Sequence, residues 1–175
     1  MQRVVLVRHN SYLFKGTVEE NLKMAKPDAT KEEMEAVLQK VNLLGFLQTQ
    51  DGLQTQLLEK ASNLSGGQCQ RLVIARALLK EDSKVYIFDE AASNIDVESE
   101  ELIMNVIHDL AKTKTVLLIS HRLANVVKSD KIYFLKDGEI KESGKHEELM
   151  SQNGAYRHLY ESQMALENYG KGGVA

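Results

Sequence analysis

Two short apolar runs, separated by a helical pattern, constrain the fold of this chain most strongly. Val85 to Phe88 (VYIF) and Thr115 to Ile119 (TVLLI) each have the length of one strand and lack the polar alternation of a half-solvated strand. The stretch from about Glu98 to Ala111 between them is predicted to be a helix. Leu102, Val106 and Leu110 are expected on one face of this helix. This order of elements predicts a parallel sheet whose buried strands are covered by helices.

Helical and turn signals extend this pattern along the chain. Thr30 begins a capping box, and a helix over Lys31 to Val41 is predicted to bury Met34, Val37 and Leu38. A second helix is predicted over Gln68 to Leu79. The other predicted elements are a strand over Arg3 to Val7, a short helix over Leu123 to Val127, a hairpin around Asp137-Gly138, and helices over Glu147 to Ser151 and Ala155 to Met164.

Composition narrows the class of protein. The 175 residues carry a net charge of -3, which argues against a nucleic-acid-binding platform. A single cysteine, Cys69, excludes an internal disulfide. No apolar run approaches the roughly 20 residues of a membrane span, and no basic-then-apolar leader precedes the first strand. A membrane role therefore requires a partner or further polypeptide.

Two acids follow the first apolar run directly. A strand ending in Asp89 and Glu90 would deliver both carboxylates to the edge where parallel sheets gather their chemistry. The first acid suits Mg²⁺, and the second could orient or deprotonate an attacking water. The alternative is an ordinary pair of acids that caps the next loop, and the pair by itself favours neither.

A glycine-rich segment, LSGGQ, precedes the predicted helix over Gln68 to Leu79. The glycines permit close backbone approach, Ser65 can cap the helix, and a helix amino end favours an anion. An ordinary glycine turn before a capped helix is the alternative, and it is the commoner case for Ser-Gly-Gly alone.

One histidine follows the second apolar run. His121, directly after Ser120, could hydrogen-bond a terminal phosphate or the attacking water. Taken alone, a histidine bonded to neighbouring backbone is the commoner case.

The order and spacing of the three segments resemble one family. LSGGQ-x-QR, then VYIFDEAASNID, then LLISHRL is similar to the signature series of ABC-type ATPases, and the resemblance covers nearly the whole chain. It implies a signature loop formed by Ser65, Gly66, Gly67 and Gln68. Asp89 matches the Walker B magnesium acid, and Glu90 matches the catalytic glutamate. His121 matches the switch histidine, and the stretch from Ala92 to Asp96 resembles the D-loop, which lines the dimer contact.

The resemblance also implies a fold, cofactors and partners. The expected fold is an α/β, P-loop NTPase-like domain, N-terminally truncated, with a mostly parallel sheet, helices on both faces and a helical signature subdomain. Residues 1–168 would form the partial ATP-binding domain, with about 10–80 as the signature subdomain, 1–9 and 81–168 as the core, and 169–175 as a flexible tail. ATP and Mg²⁺ are the implied cofactors. The implied partners are a second ABC ATP-binding domain, arranged head to tail, and a transmembrane permease domain at the cytoplasmic face of the cell membrane, with no nucleic acid.

The flanking segments resemble exporters. Asn10 to Leu22 (NSYLFKGTVEENL), Glu59 and KDGEIKESGKHEEL look like exporter domains fused to a membrane domain. The expected function is therefore the ATP-hydrolysing part of an ABC exporter. A DNA-repair or translation ATPase would carry basic patches or coiled-coil insertions, which the sequence lacks. An inactive gene remnant, or a docking half that supplies only the signature face, is the other alternative.

The sequence departs from the family pattern in its phosphate-binding loop. The motif G-x-x-x-x-G-K-[ST] has no match in the 175 residues. Since that loop supplies amide donors and a lysine to the phosphates, we expect the chain alone to bind ATP poorly and to turn it over negligibly. Missing strands would also uncover apolar faces, and aggregation or dimerisation through them is expected.

A second departure lies at His9, where the family's Q-loop glutamine should fall. Neutral histidine can accept one hydrogen bond, but it is a poor magnesium ligand. Either this position has diverged or the alignment slips near the start of the chain, and both explanations stay open.

Overall fold

The computed structural model describes residues 4–171, with side-chain burial given for residues 4–166. The chain divides between Ile119 and Ser120 into two compact units. The first unit contains β1 Val4–Arg8, β2 Gly16–Thr17, α1 Val18–Lys23, α2 Lys31–Lys40, α3 Leu44–Gln48, β3 Gln56–Leu57, α4 Gly66–Leu78, β4 Val85–Asp89, α5 Val97–Ala111 and β5 Thr115–Ile119. The second contains a 3-10 turn at Leu123–Val126, then β6 Ile132–Lys136, β7 Glu139–Gly144, α6 His146–Ser151 and α7 Ala155–Lys171.

A three-stranded parallel sheet organises the first unit, in the order β1-β4-β5. The register places Arg8 opposite Asp89, and Asp89 opposite Ile119, so all three strands end at one level. The carboxyl edge of the sheet therefore carries the first acid at its centre. The predicted fold class, α/β with a parallel sheet and packed helices, is confirmed.

The two faces of this sheet differ in how much of their surface other elements bury. On one face, Val5, Val7, Tyr86 and Phe88 are buried in the core with residues of α4 and α5. The opposite face, here called the open face, exposes large apolar side chains of its outer strands: Val4 by 47%, Leu6 by 48%, Leu117 by 50% and Ile119 by 45%. The prediction that TVLLI is a buried strand is therefore wrong, because β5 lies at the edge of a sheet that is covered on one face.

Local capping signals define the helix starts. The capping box at Thr30 is confirmed, and α2 follows it as predicted, with Met34, Val37, Leu38 and Val41 buried. The helix predicted from about Glu98 to Ala111 is confirmed as α5. Ile103, Met104 and Ile107 are buried, whereas Leu102, Val106 and Leu110 are half-buried. The apolar stripe of this helix is broad, and only packing against α4 and β5 selects its centre.

The second unit combines a hairpin with two helices. β6 and β7 pair antiparallel as predicted, and Asp137 and Gly138 at their turn have φ of 54° and 78°, as a primed two-residue turn requires. The expected tail, 169–175, overlaps the last three residues of α7, and residues 172–175 lie outside the described residues. In the part of the chain that the structure describes, no helix is long and apolar enough to cross a membrane.

Candidate active site

Asp89 lies at the end of β4, the central strand. Its side chain is 40% exposed, and the Arg8 Nε atom lies 3.9 Å from its Oδ2 atom. The backbone amide of His9 donates to the Asp89 carbonyl at 3.2 Å, so the turn after β1 is held against this edge. The carboxylate is therefore accessible to solvent and fixed by the strand that carries it.

Glu90 adopts a backbone conformation that is unusual for a residue with a side chain. Its φ is 50°, in the left-handed region. The Glu90 amide donates to the Ile119 carbonyl at 3.0 Å, and the Glu90 carbonyl accepts from the Ser93 amide at 3.0 Å and the Ser93 hydroxyl at 2.8 Å. These bonds hold a strained turn immediately after the strand, a feature that clusters at functional sites.

Ser65 begins α4 as a capping residue. Its Oγ accepts from the Gln68 amide at 3.2 Å, and the Gln68 Oε1 accepts from the Ser65 amide at 2.9 Å. Ser65 and Gly66 are exposed, whereas Gly67 is buried. As in every α-helix, the first amides have no acceptor within the helix. An exposed helix start with small residues is thus a site where an anion can approach.

The start of α4 packs against the start of α5. A Cβ atom on Gly67 would lie 2.8 Å from the Ser99 Cβ atom and 3.0 Å from the Asp96 Oδ2 atom. At Gly66 the nearest atom is the Ile95 Cγ2 at 3.8 Å. The structure thus brings the predicted signature loop beside the predicted D-loop, and only a glycine fits at position 67.

Asp96 acts locally as the N-cap of α5. Its Oδ1 accepts from the Ser99 amide at 2.8 Å. The hydrogen bond from the Ser99 amide, followed by that from the Ser99 side chain, lowers the pKa of Asp96 below its ordinary value. The carboxylate is therefore kept ionised at the surface beside Gly67.

Sequence reasoning quoted Gln70 and Arg71 within LSGGQ-x-QR but gave them no role. The buried Gln70 side chain donates to the Arg8 carbonyl at 3.5 Å, which joins α4 to the end of β1. Arg71 donates to the Gly67 carbonyl at 3.3 Å and to the Asn42 carbonyl at 2.9 Å. Both side chains position the signature helix, and a polar residue on the apolar side of a helix was the signal available for Gln70.

The oxygen ligands at the sheet edge fit a magnesium ion bound largely through water and phosphate. Among residues 4–166, whose side chains the structure describes, no group of three His, Cys, Asp or Glu side chains could hold a metal ion by itself. Magnesium in phosphate-transfer sites needs only one or two carboxylates, with water and phosphate oxygens completing the shell. Asp89 offers such a carboxylate, while His9 lies exposed one residue after β1.

His121 belongs to the second unit, where hydrogen bonds from Ser120 and Gln163 hold the loop that carries it. The Ser120 Oγ accepts from the Arg122 amide and donates to the Arg122 carbonyl, both at 3.0 Å. The Gln163 Nε2 donates to the His121 carbonyl at 2.7 Å, and the Gln163 Oε1 accepts from the Leu123 amide at 2.9 Å. The His121 side chain is exposed on this ordered loop.

Known proteins share this sequence and this fold. An uncharacterized ABC transporter ATP-binding protein of Haemophilus influenzae is 53% identical over 166 residues, covering 95% of this chain and 30% of that protein. A putative multidrug export ATP-binding/permease protein of Staphylococcus aureus is 40% identical over 162 residues, covering 92% and 28%. A solved structure of a bacterial Atm1-family ABC exporter with ATP bound has a TM-score of 0.84 at 30% identity, covering 92% of this chain and 28% of that chain.

The chain spans less than one third of the length of these relatives. The family model for the ABC transporter matches residues 1–93, which include β1, the LSGGQ segment and the Asp89-Glu90 pair. Because this match covers more than half of its residues, the chain belongs to the ABC transporter family.

Proposed function

We propose that this chain is part of the ATP-hydrolysing domain of an ABC exporter, which couples ATP hydrolysis to transmembrane transport. The observation that carries the proposal is the partly exposed Asp89-Glu90 pair, fixed at the end of the central strand by hydrogen bonds with neighbouring backbone. The exporter class is supported by the similarity to export proteins and to the Atm1-family exporter.

In this proposal, the acids divide two tasks. Asp89 would hold Mg²⁺ through its partly exposed carboxylate, and the ion would supply positive charge beside the nucleotide phosphates. Glu90 orients the attacking water and accepts its proton. The strained turn at Glu90 supports this division, because backbone hydrogen bonds fix the residue directly after the end of the strand. His121 is assigned a hydrogen bond to the terminal phosphate or the water.

The signature loop is proposed to act on a nucleotide held by a partner. Ser65 and Gly66 are exposed, and Gly67 is fixed against α5, so this helix start can face a second ABC domain in a head-to-tail dimer. Asp96 and the D-loop lie at the same surface and would contribute to the dimer contact. Because the 175 residues contain no Walker A motif, we propose that a phosphate-binding loop outside them holds each nucleotide.

A second surface could receive the permease part at the cytoplasmic face of the membrane. Tyr12 and Phe14 are 43% and 47% exposed, with ring centroids 4.8 Å apart. Their loop is fixed, because Arg76 donates to the Tyr12 carbonyl at 2.9 Å and the Asn21 Oδ1 accepts from the Phe14 amide at 2.8 Å. A rigid, exposed aromatic pair suits a protein contact.

A chimera tests the catalytic assignment. The matching segment of the Haemophilus influenzae relative is replaced by this chain, and the unmodified relative serves as the reference for ATP turnover. We expect the chimera to hydrolyse ATP, and Glu90→Gln to lower kcat by about 10²-fold or more with little change in KM, because the proton acceptor is lost. Phosphate release is the measurement.

Glu101→Gln is the matched control, since Glu101 is an exposed glutamate on α5, and its kcat should stay within about twofold of the parent. A hydrolysing chimera that is indifferent to Glu90→Gln would show that this chain supplies at most the signature face. Glu90-dependent hydrolysis by the 175-residue chain alone would disprove the external phosphate-binding loop.

A further inference from the structure

Gln163 joins the middle of α7 to the loop that carries His121. Its side-chain amide makes two hydrogen bonds, donating to the His121 carbonyl at 2.7 Å and accepting from the Leu123 amide at 2.9 Å. Backbone carbonyls only accept and backbone amides only donate, so one orientation of the glutamine amide satisfies both partners. The two bonds bracket Arg122 and fix the backbone on both sides of it.

The position of Gln163 is set by contacts near the start of α7. The Glu142 Oε1 accepts from the Ala155 amide at 2.6 Å and from the Tyr156 amide at 3.3 Å, which caps the helix from β7. The His146 Nδ1 lies 2.8 Å from the Tyr156 hydroxyl, and the Tyr156 side chain is fully buried. The hairpin and α6 therefore hold the first turn of α7 in place.

Helical spacing carries this placement to the histidine loop. Tyr156, Tyr160 and Gln163 stand at i, i+4 and i+7, so they share one face of α7. The His146 ring contacts the Tyr160 ring edge-on, with centroids 4.8 Å apart, one turn before Gln163. Because α7 is fixed along this face, the Gln163 side-chain amide has a defined position beside the loop that carries His121.

We infer that Gln163 is a positioning residue for His121, acting through the backbone of the loop rather than by contact with nucleotide. The inference rests on the proposed function, in which His121 bonds the terminal phosphate or the attacking water. A histidine on a loop held at its own carbonyl samples fewer backbone conformations, so its imidazole spends more time in the productive position. Ser120 braces the same loop from within, and Gln163 anchors it to the rest of the unit.

The first experiment uses the full 175-residue chain and NMR, with no nucleotide. Gln163→Leu keeps the volume of the side chain and removes both hydrogen bonds. We expect at least about tenfold faster amide exchange at Leu123 and shifted His121 carbonyl and imidazole signals, while signals of β6 and β7 stay in place. Gln163→Glu keeps the acceptor alone, so it should protect the Leu123 amide and still shift the His121 carbonyl. Gln152→Leu, an exposed glutamine after α6, is the control and should change neither.

The second experiment measures ATP turnover in the hydrolysing chimera. Gln163→Leu should lower kcat about tenfold with KM for ATP within twofold, since a displaced histidine affects the reaction more than binding. Unchanged Leu123 exchange and His121 signals in Gln163→Leu would overturn the inference. It would also be overturned if His121→Ala lowered kcat while Gln163→Leu left it unchanged. If His121→Ala itself left kcat unchanged, the role of His121 in the proposed function would fail, and the anchoring of the loop would be decided by NMR alone.

Discussion

At the scale of single residues, Glu90 combines a proposed chemical role with a strained backbone. Its φ of 50° places a residue with a Cβ atom in a region that costs about 1–2 kcal/mol. The bonds from Ser93 and to Ile119 keep it there. The backbone strain at Glu90 therefore lowers stability, whereas the proposed activity requires the Glu90 carboxylate at this position.

Two substitutions at Glu90 separate the effect of backbone strain from the effect of losing the carboxylate. Glu90→Gly and Glu90→Ala both delete the carboxylate, but only glycine adopts a positive φ without steric cost. We expect Glu90→Gly to be more stable than Glu90→Ala by about 0.5–1 kcal/mol, after the greater freedom of unfolded glycine is subtracted. Urea unfolding followed by circular dichroism measures the difference. Equal stability of the two variants would contradict the strain at this residue.

The residue scale also shows how far sequence reasoning reaches. The position of Asp89 after a strand could be predicted, because four apolar residues lead directly into it. Its partners could not be predicted, since Arg8 and His9 approach it only through the pairing of β1 with β4, about 80 positions apart. The roles of Gln70 and Gln163 were missed for the same reason, because both bond backbone groups of distant segments.

At the scale of elements, the contact between α4 and α5 depends on one glycine of the LSGGQ segment. A methyl group on Gly67 would meet Ser99 and Asp96 at 3.0 Å or less, whereas one on Gly66 meets nothing nearer than 3.8 Å. The two adjacent glycines therefore differ in purpose. One permits helix packing, and the other keeps the exposed surface open.

A pair of alanine variants tests this difference. Gly67→Ala should destabilise the first unit by about 1–3 kcal/mol, as overpacking typically does. Gly66→Ala should be neutral or stabilising by up to about 1 kcal/mol, because alanine favours the helix that begins there. The midpoint of urea unfolding gives both values. A Gly67→Ala midpoint equal to that of the parent would refute the close packing.

Elements with strong local sequence signals could be predicted, whereas the burial of their faces could be predicted less well. Helix capping at Thr30 and the turn at Asp137-Gly138 depend on residues that are close in sequence, and both predictions are confirmed. The most buried row of α5 (Ile103, Met104 and Ile107) depends on which of several apolar rows meets α4 and β5, and helical spacing alone does not select it. The burial of β5 was wrong because cover on a sheet face is a tertiary property, which a five-residue run cannot encode.

At the scale of the whole molecule, the open face is the most exposed apolar surface of the parallel sheet. It is defined by Val4, Leu6, Leu117 and Ile119, each close to half exposed. Contiguous apolar surface of this kind marks an interaction site or a tendency to associate. β1 and β5 also form the two edges of the sheet, where further strand pairing is possible.

Self-association of the purified chain is expected to run through this face. The double substitution Leu6→Ser and Leu117→Ser should weaken association at least about tenfold, because it removes apolar area from both outer strands. Light scattering over a concentration series should then move towards the 19.7 kDa of one chain. Leu166→Ser, at an exposed leucine of α7, is the control and should leave association unchanged. A parent chain that stays monomeric at high concentration would contradict the expectation.

The pairing of β1 with β4 has a consequence for biosynthesis. Val4 lies opposite Val85, so the first strand leaves the ribosome about 80 residues before the strand it pairs with. At roughly 5–20 residues per second, that delay is about 4–16 s. During this delay the four apolar residues of β1 lack the strand with which they pair, and chaperone binding during translation should concentrate on this segment until β4 emerges.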